Sequence, residues 1–341
     1  MKVHLERLLE GGTLDASTAG DVLRELARDD LDPAMAGAML AALRCRGESP
    51  ALLRGFATAM RELAVRPAID ATAAVDIVGT GGDGSGSLNL STGSALLAAA
   101  CGVPVVKHGN RSVSSRSGAA DVLEALGHRI PDGADEAAEA FGRDRFVFLF
   151  APTFHPAMKR LAAVRRALEV RTVFNLLGPL TNPARPGFAV LGAASPEAAE
   201  IVARAAAGLG FRRAFVVHGA PGWDEATPVG PFLRLTVERD RITRDTCDPR
   251  FHGVPRCAPE SLAGGDATHN AERLRAALSG EPGAHRDALA LGAGLALQVT
   301  DRVAGLADGV EAARRAIDDG RAARLLDAIT GPAGRREASH G

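Results

Sequence analysis

The chain has 341 residues and a formal net charge of −1; 46% of its residues are hydrophobic and 24% are charged. This length allows two domains with a substantial core, and the near-neutral charge excludes the strongly basic surface that recruits nucleic acid or membranes. Because the sequence has neither a secretion signal nor an apolar run of membrane-spanning length, we expect a cytoplasmic protein. Its four cysteines show no CxxC pairing, which is typical of reduced thiols.

The N-terminal part of the chain carries apolar residues at helical spacing only. Four short helices are predicted, and Asp15 and Asp32 stand where two of them begin. We therefore expect residues 1–66 to form a small helical domain. Its remaining apolar face is buried either inside the molecule or on a second subunit.

From residue 67 the pattern changes to alternating strands and helices. This alternation predicts an α/β domain with a mainly parallel central sheet over residues 67–332, followed by a disordered tail at 333–341. The predicted strands are 75–78, 103–106, 146–150, 188–193, 214–218 and 231–236. The predicted helices are 92–101, 117–127, 134–142, 155–168, 195–209, 269–279, 284–298 and 304–328.

A glycine-dense turn follows the first predicted strand. It contains Gly79, Gly81, Gly82, Gly84 and Gly86, and Ser91 and Thr92 then stand before an apolar run as helix N-cap residues do. A strand, a glycine turn and a helix N-terminus together form an anion site, because free N–H groups and the helix dipole both favour negative charge. The turn is therefore predicted to hold a phosphate or pyrophosphate.

Three different interpretations compete for this turn. A dinucleotide fold needs a helix directly after the glycines and an acid at the end of the next strand, where this chain has Lys107 and His108. A Walker loop needs a closing Gly-Lys-Ser/Thr, which this turn lacks. A purely structural turn remains open, although this segment has more polar groups than a connection needs.

Three further polar segments accompany the turn. A loop from Lys107 to Asp121 offers a lysine, an asparagine and serines to phosphate oxygens, unless it is only a solvated basic turn. The segment from Phe148 to Pro183 offers Arg165 or Arg166 as a carboxylate partner, and its His155 is interpreted as a helix cap. The adjacent acids Asp224 and Glu225 suit a hydrated divalent ion, unless they form an ordinary solvated pair.

These segments together resemble the anthranilate phosphoribosyltransferase family. The resemblance rests on DIVGTGGDG, NLST, KHGNR, FLFAP-x-x-HPAMK, RTVFNLLGPLTNPA, the DE after HG, and GGDA-x-x-N, all in the family's order. It implies a nucleoside phosphorylase-like phosphoribosyltransferase fold and a homodimer formed through the helical domain. Part of residues 165–185 would belong to that helical domain. It also implies transfer of a 5-phosphoribosyl group from phosphoribosyl pyrophosphate to the amine of anthranilate in tryptophan biosynthesis, with Mg²⁺ as cofactor.

The resemblance also implies the site residues. Magnesium would be held by Ser91, Asp224 and Glu225, and Arg165 would pair with the carboxylate of anthranilate, which Gly79 and Asn110 would also touch. The substrate-binding residues would be Gly79, Gly82, Asp83, Ser87, Asn89, Leu90, Ser91, Thr92, Lys107, His108, Gly109, Asn110, Arg111, Ser112, Val113, Ser114, Ser115, Ala119 and Arg165.

Seven positions depart from the family's usual residues. They are Ser87 for Thr, Leu90 for a β-branched residue, Ala119 for Ser, Ala163 for Pro, Glu169 for Gly, Trp223 for Leu and Gly292 for Asn. None removes a metal or carboxylate partner. They leave open the possibility that a related aromatic acid is the acceptor.

A pyrimidine nucleoside phosphorylase is a second alternative function, and the Asp224-Glu225 pair argues against it. A non-catalytic, nucleic-acid-binding paralogue is a third, against which the near-zero net charge speaks.

Overall fold

The computed structural model describes residues 1–112 and 116–331. The predicted tail at 333–341 and the predicted contacts of Val113, Ser114 and Ser115 lie outside the described residues. Four helices open the chain, and two of them have the predicted caps, since Asp15 accepts a hydrogen bond from the Thr18 amide and Asp32 from the Ala34 amide. Their bounds are α1 (Lys2–Leu9), α2 (Ala16–Leu26), α3 (Pro33–Arg46) and α4 (Pro50–Leu63).

Seven strands form one sheet in the described part of the chain. They are β1 (Val75–Gly79), β2 (Val105–Gly109), β3 (Phe146–Phe150), β4 (Phe188–Gly192), β5 (Arg213–His218), β6 (Phe232–Glu238) and β7 (Arg241–Cys247). The spatial order is β3-β2-β1-β4-β5-β6-β7; the first five strands are parallel, and β6 and β7 are antiparallel additions. The chain therefore reverses its direction of travel between β1 and β4, and such a switch point opens a crevice at the carboxyl ends of the strands.

The remaining helices cover both faces of this sheet. They are α5 (Leu90–Ala100), α6 (Ala119–Ala125), α7 (Ala134–Asp144), α8 (Ala151–Phe154), α9 (Lys159–Leu168), α10 (Phe174–Leu177), α11 (Pro196–Ala206), α12 (Ala267–Leu278), α13 (Ala284–Val299), α14 (Leu306–Asp318) and α15 (Arg321–Thr330). One face packs against α5, α6 and α12–α15; the other packs against α7, α11 and the N-terminal helices. No helix in these described ranges is long and apolar enough to cross a membrane.

The N-terminal helices share a core with the larger part of the chain. Val173 and Phe174 join the apolar cluster of α2–α4, and the rings of Phe56 and Phe174 lie 5.9 Å apart. Arg54 and Arg61 of α4 donate to backbone carbonyls at and beyond the end of α11, each at 2.8 Å. The two parts are therefore joined by packing and by hydrogen bonds.

Several predicted elements were wrong in position or extent. The second strand starts at Val105, not at residue 103, so Lys107 and His108 lie within β2 and not in a loop. The helix predicted for 155–168 instead starts as a 3-10 turn over Pro156–Met158 and is α-helical only from Lys159, and the one predicted for 304–328 is broken at Gly320, where φ is 77°. Strand β7 was missed because its residues are mostly exposed and polar, which hides the alternation.

Candidate active site

The two adjacent acids contact the segment that follows β1, at the switch point of the sheet. Asp224 Oδ2 accepts a hydrogen bond from the Gly81 amide at 2.6 Å, and Glu225 Oε1 accepts one from the Ser91 amide at 2.8 Å. Asp83 Oδ2 in turn accepts from the Asp224 amide at 3.2 Å. The fold thus brings together segments that are 134 or more residues apart in the chain.

Glycines permit this close approach. A Cβ atom at Gly79 would lie 2.1 Å from Asp224 Oδ2, and one at Gly192 would lie 1.6 Å from the Asp224 carbonyl oxygen. A Cβ atom at Gly219 would lie 1.9 Å from the Glu225 carbonyl oxygen. Any larger residue at these positions would therefore push the acids away from the turn.

The acids lie in an electrostatic environment that favours a cation. Burial and the neighbouring Asp83 raise the pKa of Asp224 to about 7, and burial and Asp224 raise the pKa of Glu225 well above its usual value. The described residues hold no ready-made group of three or more histidine, cysteine or acidic ligands. A divalent ion here would therefore be shared with a bound ligand and water, as magnesium usually is when it binds phosphates.

The glycine turn places several predicted site residues around these acids. Gly81, Gly82, Gly84 and Gly86 all have φ between 59° and 72°, a conformation that favours glycine. Asp83 Oδ1 accepts from the amide and hydroxyl of Ser85, and the Ser85 hydroxyl lies 3.2 Å from that of Ser87. Arg171, which sequence reasoning did not single out, donates to the Gly82 carbonyl.

The helix after the turn begins earlier than predicted. Asn89 is the N-cap residue of α5, so Ser91 and Thr92 lie in the first turn and do not cap it. The Asn89 side chain bridges other segments, donating to the Ser117 carbonyl at 3.1 Å and accepting from Asn270 Nδ2 at 2.8 Å. Thr92 is fully buried, and its hydroxyl has no partner among the described residues. Leu90, the first residue of α5, is buried.

Lys107 is buried within β2, close to the acids, and does not lie in a solvated loop. Its Nζ donates to the Ile77 carbonyl and lies 3.3 Å from Ser91 Oγ. The side chain is 1% exposed, and burial lowers its pKa. Lys107 Nζ is thus held between β1 and the first turn of α5.

The loop after β2 is held mainly by Arg111. Its guanidinium forms ion pairs with Asp121 and Glu124 and lies over the Phe150 ring at 5.5 Å. The Ser112 amide donates to Asp121 at 3.0 Å. Arg111 and Ser112 are therefore already bonded to α6. Gly109 ends β2, Asn110 is exposed, and Ala119 opens α6.

His108 and His155 form a buried pair beside this loop. Their ring centroids lie 5.2 Å apart in an edge-to-face arrangement. Burial lowers the pKa of His108 well below its usual value and that of His155 to about 4, so both rings are neutral at pH 7. The predicted capping role of His155 was wrong, because its side chain makes no capping hydrogen bond. The Nε2 atoms of both rings have no partner among the described residues.

Arg165 lies in the last turn of α9, partly buried, with its guanidinium 4.9 Å from the centre of the Phe174 ring. Burial lowers its pKa. Within residues 1–112 and 116–331, no carboxylate lies within 4.0 Å of this guanidinium. Arg165 therefore remains able to bind an anion from outside the chain, whereas Arg166 is exposed.

Comparison with known proteins identifies the family. Residues 2–64 match the model of the glycosyl transferase family, helical bundle domain, and residues 71–323 match that of the glycosyl transferase family, a/b domain. The anthranilate phosphoribosyltransferase of Methylobacterium radiotolerans is 48% identical over 95% of this chain and 93% of its own length. The chain belongs to the anthranilate phosphoribosyltransferase family.

Two solved structures support the same relationship. The anthranilate phosphoribosyltransferase of Thermus thermophilus superposes with a TM-score of 0.89 at 42% identity, covering 96% of this chain and 98% of that one. The enzyme of Saccharomyces cerevisiae in complex with PRPP and Mg gives a TM-score of 0.87 at 26% identity, covering 96% and 95%. The predicted fold class, a small helical domain and a larger α/β domain, is confirmed.

The departures from the family pattern leave the acids in place. Trp223 is buried, and its backbone exchanges two hydrogen bonds with Gly219, which close the turn before Asp224. A Cβ atom at Gly292 would lie 2.2 Å from Ser94 Oγ and 2.8 Å from Ser94 Cβ, so the asparagine usual in the family would require local movement around Ser94. Ala163 lies on the exposed side of α9.

Glu169 stands where the anthranilate phosphoribosyltransferase family usually has glycine, and its φ is 51° at the end of α9. Because side chains are strained in this left-handed conformation, we expect Glu169→Gly to raise the free energy of unfolding by about 0.5–1 kcal/mol. Denaturant unfolding would measure this change in the free energy of unfolding. Glu169→Ala keeps the strain and is the matched control; equal stability of the alanine and glycine variants would show that strain is not the cause.

Proposed function

We propose that the chain transfers the 5-phosphoribosyl group of phosphoribosyl pyrophosphate to the amine of anthranilate, with release of pyrophosphate, in tryptophan biosynthesis. The observation that carries the proposal is the contact of Asp224 and Glu225 with the glycine turn and the first turn of α5. A polyanionic leaving group needs a place where backbone amides, a helix N-terminus and paired acids meet. The chain's similarity to an enzyme whose structure contains PRPP and Mg supports the same assignment.

We propose that phosphoribosyl pyrophosphate, the phosphoribosyl donor, binds to the two loops that leave β1 and β2. Its binding residues would be Gly79, Gly82, Asp83, Ser87, Asn89, Leu90, Ser91 and Thr92, together with 107–115 and Ala119. The α5 N-terminus and the partnerless Thr92 hydroxyl support the phosphate assignment. Lys107 Nζ lies 3.3 Å from Ser91 Oγ and would pair with the phosphate charge of the bound donor.

The side-chain oxygens of Asp224, Glu225 and Ser91 are suitable ligands for magnesium, and these three residues would hold the ion. Two acids with raised pKa values in a buried cluster are stabilised by a cation, and hard oxygen ligands suit this ion. When bound, magnesium neutralises the charge that develops on the departing pyrophosphate. Asp224 Oδ2 accepts from the Gly81 amide of the glycine turn, and Glu225 Oε1 accepts from the Ser91 amide in the first turn of α5, so the three residues are neighbours.

The residues of the chain then act by positioning. The bond between the sugar carbon and pyrophosphate breaks as the anthranilate nitrogen bonds to that carbon from the opposite face, and the nitrogen loses a proton afterwards. An aromatic amine is already neutral at pH 7, so no strong general base is needed. Arg165 would fix the carboxylate of anthranilate, and Gly79 and Asn110 would contact the ring, so that the amine faces the sugar.

Arg165→Ala is expected to raise the KM for anthranilate about 100-fold and that for phosphoribosyl pyrophosphate less than threefold. The lost interaction is a charge-assisted, bidentate one with the acceptor alone, worth roughly 1.5–3 kcal/mol. Steady-state kinetics with each substrate varied in turn measures both constants. Arg166→Ala, one exposed residue further along α9, is the control. Equal increases in both KM values would remove Arg165 from acceptor binding.

One assay tests the reaction itself. The purified protein is mixed with phosphoribosyl pyrophosphate, MgCl₂ and anthranilate, and the loss of anthranilate fluorescence is followed. Substituted aminobenzoates compete as acceptors, and a pyrimidine nucleoside with inorganic phosphate replaces both substrates in a parallel reaction. Turnover of another aminobenzoate in preference to anthranilate would reassign the acceptor, and phosphorolysis without transfer would overturn the proposal.

We also propose that residues 1–66, with part of 165–185, form a dimerisation domain on the α/β domain of residues 67–332, and that the homodimer works in the cytoplasm. Val3 and Leu9 of α1 are 75% and 69% exposed, and an apolar depression of about 270 Å³ lies between α2, α3 and α9. Burial of such surface on a second copy would stabilise a dimer. Light scattering is expected to give twice the chain mass of 35.2 kDa.

A further inference from the structure

The central sheet is split between β1 and β2. These strands pair only at Val75 opposite Val105, whereas β1 pairs with β4, and β2 with β3, over five residues each. The carboxyl ends of β1 and β2 are therefore not joined by a backbone ladder. Both proposed donor loops leave from these ends.

A regular continuation of the register identifies the missing bonds. In a parallel ladder, Ile77 would accept from the His108 amide and donate to the Val106 carbonyl. Instead, the His108 amide donates to Asp76 Oδ1 at 3.2 Å, and the Val106 carbonyl accepts from Asn182 Nδ2 at 2.8 Å. Side chains thus replace the backbone groups of the neighbouring strand.

Three side chains take part in this replacement, and we call them the polar wedge: Asp76, Lys107 and Asn182. Asn182 Nδ2 also donates to Asp76 Oδ2 at 2.8 Å, and Lys107 Nζ donates to the Ile77 carbonyl. The Ala184 amide donates to Asn182 Oδ1 at 2.9 Å, which fixes the orientation of the amide. The wedge therefore ties β1 and β2 to the segment before β4.

The wedge places polar and ionisable side chains in the interior of a sheet, where their desolvation is unfavourable. Each of its three residues is only 1% exposed. Buried ionisable groups cost free energy to desolvate, and well-packed apolar residues of similar volume are often at least as stable. A closed ladder with apolar side chains would be the simpler way to build this part of the sheet, so stability alone does not account for the wedge.

We infer that Asp76 and Asn182 are positioning residues that hold the ends of β1 and β2 apart and so set the distance between the two donor loops. The inference rests on the proposed function, in which phosphoribosyl pyrophosphate bridges these loops. Closing the ladder would draw the loop after Gly109 toward the glycine turn and narrow the crevice. Neither side chain needs to touch the substrate for this role.

Two variants test the inference. Asp76→Asn keeps the shape but cannot satisfy both His108 and Asn182, and Asn182→Ala leaves the Val106 carbonyl and Asp76 Oδ2 without their partner. We expect kcat/KM for phosphoribosyl pyrophosphate to fall about 100-fold in each, since misplacement of about 1 Å has that effect. The KM for phosphoribosyl pyrophosphate should rise more than that for anthranilate, because the donor is proposed to bridge both loops, whereas Arg165, which would bind the carboxylate of anthranilate, lies on α9.

Val237→Ala is the matched control. Val237 is 1% exposed on β6, three strands from β1, so its truncation lowers the melting temperature without altering the loops. We expect this control to keep kcat/KM within threefold of the unmodified protein. Folded wedge variants with unmodified kcat/KM, or a control that loses as much activity at equal melting temperature, would overturn the inference.

Two results separate the inference from the proposed function. An unmodified protein without transferase activity contradicts the proposed function, whereas active wedge variants contradict only the wedge. If neither variant folds, crystal structures of the unmodified protein with and without phosphoribosyl pyrophosphate decide. A gap of equal width in both supports the inference, and a ladder that continues through Ile77 in either overturns it.

Discussion

Asp224→Asn and Glu225→Gln are each expected to lower kcat about 1000-fold at saturating substrate and magnesium. Asp224 contacts the glycine turn and Glu225 the first turn of α5, and both are assigned to hold the cation that stabilises the leaving group. Removal of one such electrostatic contact typically lowers kcat by 10²–10³-fold. The concentration of magnesium needed for half-maximal activity should rise at least tenfold. Steady-state kinetics over a magnesium titration would measure both effects.

The same substitutions should not destabilise the fold. Burial raises the pKa of both acids, and the neighbouring charges of Asp83 at Asp224 and of Asp224 at Glu225 raise it further, which means that the charged forms are unfavourable in the folded protein without a cation. A neutral amide can still accept from the Gly81 or Ser91 amide. The melting temperature without magnesium should therefore stay the same or rise. Glu311→Gln, at an exposed ion pair on α14, is the control for a surface charge. Retention of a tenth of the activity by either variant would remove the acids from the mechanism.

Gly192→Ala is expected to destabilise the protein by about 3 kcal/mol and to lower kcat/KM about 100-fold. The new Cβ would lie 1.6 Å from the Asp224 carbonyl oxygen, so the acid segment must move away from the turn. Gly219→Ala should behave similarly, because its Cβ would meet the Glu225 carbonyl oxygen at 1.9 Å. Denaturant unfolding and donor kinetics measure the two effects.

Gly142→Ala provides the opposite result as a control. Gly142 is exposed in the last turn of α7, and a Cβ there meets nothing within 4 Å. This substitution should raise the free energy of unfolding by about 0.5–1 kcal/mol, because alanine has the higher helix propensity. If Gly192→Ala were as stable and as active as Gly142→Ala, the tight packing around Asp224 would not matter for the site.

Local chemistry in the sequence was enough for the class of fold and the candidate chemistry. The caps at Asp15 and Asp32, the strand at 146–150 and the glycine turn before α5 depend on neighbouring residues and on the period of apolar side chains. The family motifs led to the enzyme family, and the comparisons confirmed it. The individual roles of the site residues stay predictions that the proposed experiments address.

The spatial arrangement of the site was decided by the tertiary structure. Nothing near Asp224 in the chain specifies that it meets the Gly81 amide, because that contact depends on which strands become neighbours at the switch point. Asp76 attracts attention in the sequence only as a charge within an apolar strand. Its partner Asn182 lies 106 residues away, and their contact arises because the parallel strands separate after one pair. Periodicity determines which face of a strand is apolar, whereas strand order and splay are set by packing between distant segments.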